Sequence, residues 1–388
     1  MKQLLFDLWS CQPNEKVKFH GGGEYIKSVF KRLVELNVGK CCLTVFFNKG
    51  LFIDDWIKQL IVVESIRVLP VKEMKDVQDI LKNNKFDVFY SGIPYAYGGL
   101  DIPSETFFCG TIHGLRLIEL PCDKYAFKYK EGLDSLKLLI KNQMVQFFRK
   151  KYVEQLHQCL KKLDAVICVS NHTQFAVKNF YPLLKKDVYT FYTPQKIANA
   201  ERREKSNVYG KYILLISCDR FEKNSYRALE AVDNMFSRGL LSDYKVVTTG
   251  NLPRKIKQSV RNEERFIHFG YVSPERLEGL YADCDFFLYP TLNEGFGMPP
   301  LEAMKYGKTC VVSGVCSLPE VCGDAVYYCN PYDISEIQNR ILMASENKIS
   351  KEIIYTHLQK ISAKQEADLS RLCDYIVNLD GKSKQSVA

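Results

Sequence analysis

Long apolar runs are what this sequence most plainly lacks. No segment approaches the roughly 20 consecutive apolar residues that a bilayer-spanning helix requires, and the opening "MKQLLFDLWS" meets polar residues too early for a secretory leader. Both absences predict a cytoplasmic protein. Cys-x-x-Cys pairs are missing as well. The chain has 14 cysteines, but Cys41 and Cys42 are adjacent, and Cys310, Cys316, Cys322 and Cys329 fall six or seven apart with no histidine cluster beside them. That spacing argues against a structural zinc site. The thiols read instead as small buried hydrophobes in a reducing compartment. A Gly-x-Gly-x-x-Gly turn followed by a ribose-binding acid is absent, which counts against an NAD-dependent oxidoreductase. The net charge of +9 asks for an acidic partner. Its lysines and arginines are scattered, however, and no zinc-finger, RRM or basic-zipper pattern appears, so nucleic acid is not expected. No repeat suggests a solenoid.

What is present is the composition of an ordinary globular protein, 46% hydrophobic and 26% charged over 388 residues. That length suits two domains of about 150–200 residues each. Apolar segments at 3–9, 41–47, 87–91, 106–114 and 164–170 alternate with helical stretches such as 23–36. The rhythm restarts after a polar stretch with segments at 211–217, 244–250, 265–270, 284–290, 309–314 and 325–329. Such alternation predicts doubly wound parallel α/β sheets. The expected division is a Rossmann-like domain over 1–195, a linker over 196–210, a second Rossmann-like domain over 211–365, and a final helix with a frayed tail over 366–388.

The stretch "TLNEGFGMPPLEAMKYG", 291–307, holds the most chemistry. It follows the apolar strand "CDFFLYP", which should stop near Pro290, and it opens a helix in which Pro299 and Pro300 fit the first turn. Gly295 and Gly297 permit close approach of a ligand, and the amides of residues 295–298, including those of Phe296 and Met298, can face an anion. Glu294 and Glu302 are poor company for phosphate but suit neighbouring hydroxyls. A sugar nucleotide carries both kinds of group. The plainer alternative makes Glu302 a helix-dipole residue and Glu294 a solvated loop acid.

This stretch resembles the signature of the retaining glycosyltransferases of family 4, in which two glutamates separated by seven residues surround a Gly-Phe-Gly-hydrophobe-Pro core. The likeness extends through residues 268–333. It implies the GT-B fold, two Rossmann-like doubly wound domains facing a cleft, with the first on the acceptor side and the final helix returning to it. It implies a nucleotide-diphosphate sugar as donor, a glycan or lipid-linked glycan as acceptor, and no bound metal or cofactor. In "CDRFEKNSYRALEA", 218–231, Arg220 and Lys223 resemble the family's Arg and Lys-Asn element, with a shorter gap between them. They would neutralise the leaving diphosphate.

Gly22 and Gly23, in "HGGGEYIKSVF", match a loop that approaches the donor phosphates and the acceptor, although a simple turn fits the residues equally well. His113 ends an apolar strand, where an exposed imidazole can reach the cleft as a catalytic residue or sit as a satisfied structural histidine; many relatives have His-Asp there, but Gly114 replaces the aspartate, which puts any role needing that acid in doubt. Tyr271 and Val272, in "HFGYVS", resemble the loop that offers backbone groups to the nucleobase. In this scheme Glu294 serves the sugar and Glu302 the ribose.

A glycosidase would use both acids at the scissile bond, and assigning Glu302 to the ribose argues against that. A sugar-nucleotide epimerase and a catalytically silent nucleotide-binding subunit are the competing readings. The segment 135–162 carries Leu136, Leu139, Ile140, Met144, Phe147 and Phe148 near helical spacing, with Arg149, Lys150 and Lys151 together. It is either a peripheral membrane contact or an ordinary surface helix.

Overall fold

The computed structural model describes residues 1–13, 21–36, 39–120, 123–196 and 204–379. By contact the chain divides into two units. One comprises Met1–Leu115, Lys151–Ala198 and Ser362–Ala388, and the other Arg116–Lys150 and Asn199–Ile361. This differs from a division at 195–210, because 116–150 clusters with the second unit. The cause is a buried seam. Tyr129 packs its hydroxyl 3.0 Å from Ser225, and Asp123 pairs with Arg227 at 2.8 Å. Residues 197–203 of the linker expected at 196–210, and residues 380–388 of the final helix and tail expected at 366–388, lie outside the described residues.

In the first unit the strands are β1 (Lys2–Asp7), β2 (Cys41–Phe47), β3 (Arg67–Pro70), β4 (Val88–Ser91), β5 (Phe107–Ile112), β6 (Ala165–Cys168) and β7 (Asp187–Thr190). They form a parallel sheet ordered β3-β2-β1-β4-β5-β6-β7. The central strands are near-continuous apolar runs because helices cover both faces. Phe89 and Phe108 stack with ring centroids 4.5 Å apart in that core. The helix Lys351–Asn378 belongs to this unit from Ser362 onward. Within the unit, Gln365 donates to the Thr193 carbonyl at 2.6 Å, and Asp368 accepts from the Tyr192 amide at 3.0 Å.

In the second unit the strands are β8 (Lys211–Leu215), β9 (Tyr244–Thr248), β10 (Phe266–His268), β11 (Phe286–Tyr289), β12 (Thr309–Ser313) and β13 (Tyr327–Cys329). They too are parallel, in the order β10-β9-β8-β11-β12-β13. Both sheets therefore share the doubly wound order 3-2-1-4-5-6, and the first adds an outer strand.

Two local expectations change. Gly22 and Gly23 lie within the first turn of the helix Gly21–Leu36, not in a loop before it. First-turn amides have no intrahelical partner, so the poor helix propensity of glycine costs least there. The segment 135–162 falls in two helices, Gly132–Gln143 and Val145–Lys162. The side chains of Leu136, Leu139 and Ile140 are outside the described set, while Met144 and Phe147 are 47% and 61% exposed. Among the described residues no helix is long and apolar enough to cross a membrane. Most of the described cysteines are buried as expected, and burial raises the thiols of Cys310, Cys322 and Cys329, but Cys42 is exposed and Cys316 is only half-buried.

Candidate functional site

The order of the second sheet reverses between β8 and β11. Chain leaving the C-terminal ends of these neighbours diverges to opposite faces and opens a crevice at the switch point. The segment after β8 carries Arg220 and Lys223, and the one after β11 carries Glu294.

Lys223 closes a single 3-10 turn, Phe221–Lys223, and its side chain is only 7% exposed. Its ammonium lies 2.5 Å from Glu294 Oε1 and 2.5 Å from the Tyr289 hydroxyl. Glu294 Oε1 also accepts from Tyr289 at 2.6 Å and from Thr291 Oγ1 at 3.0 Å. Three donors thus converge on one oxygen, and among the described residues none reaches Oε2. Burial alone would raise the Glu294 carboxyl, but Lys223, Tyr289 and Arg220 outweigh it and hold the group below the usual glutamate range. Burial pulls Lys223 below an ordinary lysine, with Glu294 offsetting part of the effect. The pair is a buried ion pair, with one carboxylate oxygen meeting no donor among the described residues.

The loop around Glu294 is tied down at both ends. Thr291 Oγ1 donates to the Glu222 carbonyl at 2.8 Å and the Leu292 amide to the same carbonyl at 2.7 Å. Farther along, Ser317 Oγ bonds the carbonyls of Glu294 and Phe296 at 3.1 and 2.8 Å. Gly297 then caps the helix Met298–Met304 with φ +98°, and a Cβ there would lie 2.5 Å from Leu318 Cδ2. Only glycine meets both demands. Pro299 and Pro300 follow in the first turn, as the sequence predicts. The Phe296 ring is buried, so that residue offers a ligand its backbone.

Glu302 is the fifth residue of this helix and is 5% exposed, accepting from the Tyr281 hydroxyl at 3.0 Å. It is not a solvated first-turn acid. The Tyr289 phenol, raised first by burial, is raised further by both Glu294 and Glu302, so both acids act on one end of β11.

Asn224 supports this wall from below. It takes the left-handed conformation, φ 58°, at the start of the helix Ser225–Ser237, and its amide donates to the Pro290 and Pro331 carbonyls at 2.9 and 2.7 Å. Arg220 is half exposed and grips Glu222, with Nε 2.8 Å from Oε1. Arg116 reaches the same oxygen. Tyr271, after β10, is 64% exposed, and Val272 is half-buried beside it.

The first unit holds the other expected positions. His113 follows β5. Its Nε2 lies 2.8 Å from the Gly92 carbonyl, which can only accept, so Nε2 carries the proton. The ring packs edge-on to Tyr25 with centroids 4.8 Å apart. Gly114, the next residue, has φ +132°, a conformation strained for any side-chain-bearing residue. Gly22 and Gly23 present first-turn amides of the helix Gly21–Leu36.

Residues 198–360 match the family described as glycosyl transferases group 1. The likeness to the group 1 glycosyltransferases is thus shown for this segment. Among its relatives, the serotype-specific mannosyltransferase WbdA of Escherichia coli is 26% identical over 95% of this chain and 46% of its own length. The O-antigen chain mannosyltransferase B of Escherichia coli is 29% identical over 53% of this chain and 58% of its own. The chain spans about half the length of these relatives. Among solved structures, sucrose-phosphate synthase from Thermosynechococcus elongatus superposes with a TM-score of 0.68 at 12% identity, over 97% of this chain and 98% of that one. Anabaena HepE in complex with UDP and glucose gives 0.64 at 14% identity, over 98% and 100%. At such identity these likenesses establish the fold, which is GT-B, and nothing finer.

The group 1 match contains Arg220, Lys223, Tyr271, Val272, Glu294 and Glu302, while His113, Gly22 and Gly23 precede it. Sequence reasoning missed Tyr289, Thr291, Ser317 and Arg116. A hydroxyl ending a buried strand, as in "FFLYPT", was the available signal for the first two, since a buried hydroxyl needs a partner. Nothing in the sequence ties Arg116 to Glu222.

Proposed function

We propose that this chain is a retaining glycosyltransferase. It moves a hexose, of mannosyl type, from a nucleotide-diphosphate sugar to a glycan or lipid-linked glycan in surface-polysaccharide biosynthesis. The observation that carries the reading is the buried Lys223–Glu294 pair at the β8/β11 switch point, with its second carboxylate oxygen clear of protein donors. The names of the mannosyltransferase relatives support the sugar class.

In this reading the donor's diphosphate lies against Lys223, Arg220 and the amides of Gly295 to Met298. Glu302 takes the ribose hydroxyls, and Tyr271 and Val272 meet the base. Glu294 Oε2 accepts from the sugar's hydroxyls. The bond from the anomeric carbon to phosphate oxygen breaks with its electron pair on the diphosphate, where the cations meet the growing charge. The acceptor hydroxyl bonds the same carbon on the same face and gives its proton to the departing diphosphate. No metal or cofactor enters these steps. Gly22 and Gly23 approach the donor phosphates and the acceptor, and His113 serves the reacting centre.

The test is incubation with UDP-, GDP- and dTDP-hexoses and a glycan acceptor, following nucleotide release and the anomeric signals of the product by NMR. The expected result is acceptor-dependent release with the donor's anomeric configuration kept. An inverted product overturns retention, and interconversion of donor sugars without acceptor favours an epimerase. A lipid-linked acceptor also fits the exposed Met144 and Phe147 near Arg149, Lys150 and Lys151. Co-sedimentation with anionic vesicles is expected, and its absence removes the membrane contact.

A further inference from the structure

The segment 116–150 lies outside the family-matched range yet belongs by contact to the second unit. Its attachment is firm. Tyr129 bonds both Ser225 Oγ at 3.0 Å and the Tyr226 amide at 2.8 Å. Asp123 and Arg227 form an ion pair with side chains only 2% and 7% exposed, and the Arg227 guanidinium lies 4.6 Å from the centre of the Tyr125 ring. These contacts fix the segment on the first turn of the helix Ser225–Ser237, directly beyond the turn that holds Lys223. Arg116, at the start of the segment, is therefore held close to the switch point.

There it does something a plain surface bridge does not need. Glu222 Oε1 already receives Arg220 through two guanidinium nitrogens, and Arg116 Nη1 adds a second guanidinium to the same oxygen. Glu222 is 13% exposed, whereas the side chains of Arg116 and Arg220 are 46% and 47% exposed. Burial raises the Glu222 carboxyl, but Arg220 and Arg116 together outweigh it and keep the group anionic. One carboxylate cannot neutralise two guanidiniums. Three cations, Arg116, Arg220 and Lys223, face two anions, Glu222 and Glu294. Arg116 engages only Nη1, and among the described residues its Nε and Nη2 meet no acceptor. The cluster is one negative group short, with planar donors to spare.

We propose that Arg116 is a further donor-binding residue: with Arg220 it clasps the diphosphate of the nucleotide sugar, and Glu222 keeps the two guanidiniums together until that anion arrives. The inference rests on the function proposed above and extends it to a residue outside the matched family range. The guanidinium fork fits phosphate oxygens two at a time, a geometry lysine cannot reproduce. Discrimination follows. A nucleoside diphosphate spans the cluster, while a monophosphate satisfies only part of it.

The experiment is calorimetric titration of the full-length chain with UDP and GDP and with their monophosphates, for wild type, Arg116→Gln and Arg116→Lys, with thermal unfolding recorded for each. Arg116→Gln is expected to weaken diphosphate binding about 10- to 100-fold, as loss of charge-assisted hydrogen bonds does. It should leave monophosphate binding within about twofold and the unfolding midpoint nearly unchanged, since exposed ion pairs add little to stability. Arg116→Lys should fall between. Diphosphate binding equal to wild type in Arg116→Gln overturns the inference, as does an equal loss for mono- and diphosphates. Failure of the wild type to bind any nucleoside diphosphate overturns the underlying function instead.

Discussion

The first sheet closes its switch point around Asp7, which ends β1, while the second sheet leaves an ion pair at the equivalent place, between the ends of β8 and β11. The strand order through these points is the same. Asp7 is fully buried and accepts from Ser10, Ser91 and Tyr97, with Ser91 Oγ at 2.7 Å and the Tyr97 hydroxyl at 2.9 Å. Its partners are neutral, three hydroxyls and the Ser10 backbone amide. Glu294 receives hydroxyls too, but Lys223 stands beside it, and one of its oxygens is left over. The doubly wound topology supplies a crevice twice. The side chains decide whether it becomes a joint in the core or a place for a ligand.

The largest expected effect separates the two directly. Lys223→Ala should lower kcat/KM about 100- to 1,000-fold, the usual cost of losing a charge aimed at a developing anion. Donor affinity should fall with it, while circular dichroism shows an intact fold. Asp7→Ala should do the reverse. It leaves buried hydroxyls of Ser91 and Tyr97 without their acceptor, a loss of about 2–4 kcal/mol in unfolding free energy. The folded fraction should bind nucleotide as wild type does. If Asp7→Ala weakened nucleotide binding at unchanged stability, the first switch point would be a site as well, and the contrast would fail.

Much of this contrast could be read from the sequence because of where the residues sit. The central strands are apolar on both faces and stood out as runs; β3 and β7, at the edges of the first sheet, did not. Arg67 at the start of β3 and Asp187 at the start of β7 are exposed, so these strands lack the continuous apolar pattern that marks burial on both sides. Glu294 and Lys223 were legible because each follows a strong strand and stands in a motif. Asp7 was not, since one aspartate after "KQLLF" is indistinguishable from a solvated strand end until Ser91 and Tyr97 are brought to it. The same holds for 116–150. The pairing of Asp123 with Arg227 joins residues far apart in sequence, and no local pattern announces it.

A smaller effect sharpens the comparison at the level of backbone. Gly297→Ala meets a left-handed conformation and the Leu318 side chain together, and should cost about 1–3 kcal/mol in thermal or urea unfolding. Gly21→Ala, in the first turn of the helix Gly21–Leu36, has nothing within 4 Å of the new Cβ. It should be neutral or slightly stabilising, by under about 1 kcal/mol, because alanine restricts the unfolded chain. A tolerated Gly297→Ala would mean that the loop carrying Glu294 is not held as tightly as its contacts with Ser317 imply.

The finest test uses proton linkage, because the two carboxylates are displaced in opposite directions. Burial raises Asp7, and the hydrogen bonds from Ser10, Ser91 and Tyr97 do not offset it. The folded chain then holds that proton more tightly than the unfolded one, so the stabilisation from Asp7 is complete below the ordinary aspartate value and is lost as pH rises through the raised one. Burial also pushes Glu294 up, but Lys223 and its companions bring it below the ordinary glutamate value. Its stabilisation is present above that ordinary value and is lost as pH falls through the lowered one. Urea unfolding across the acid range should therefore give difference curves of opposite slope: wild type minus Asp7→Asn falls with rising pH, and wild type minus Glu294→Gln rises. Equal signs would mean that Lys223 does not govern Glu294, and the distinction between the two switch points would then rest on exposure alone.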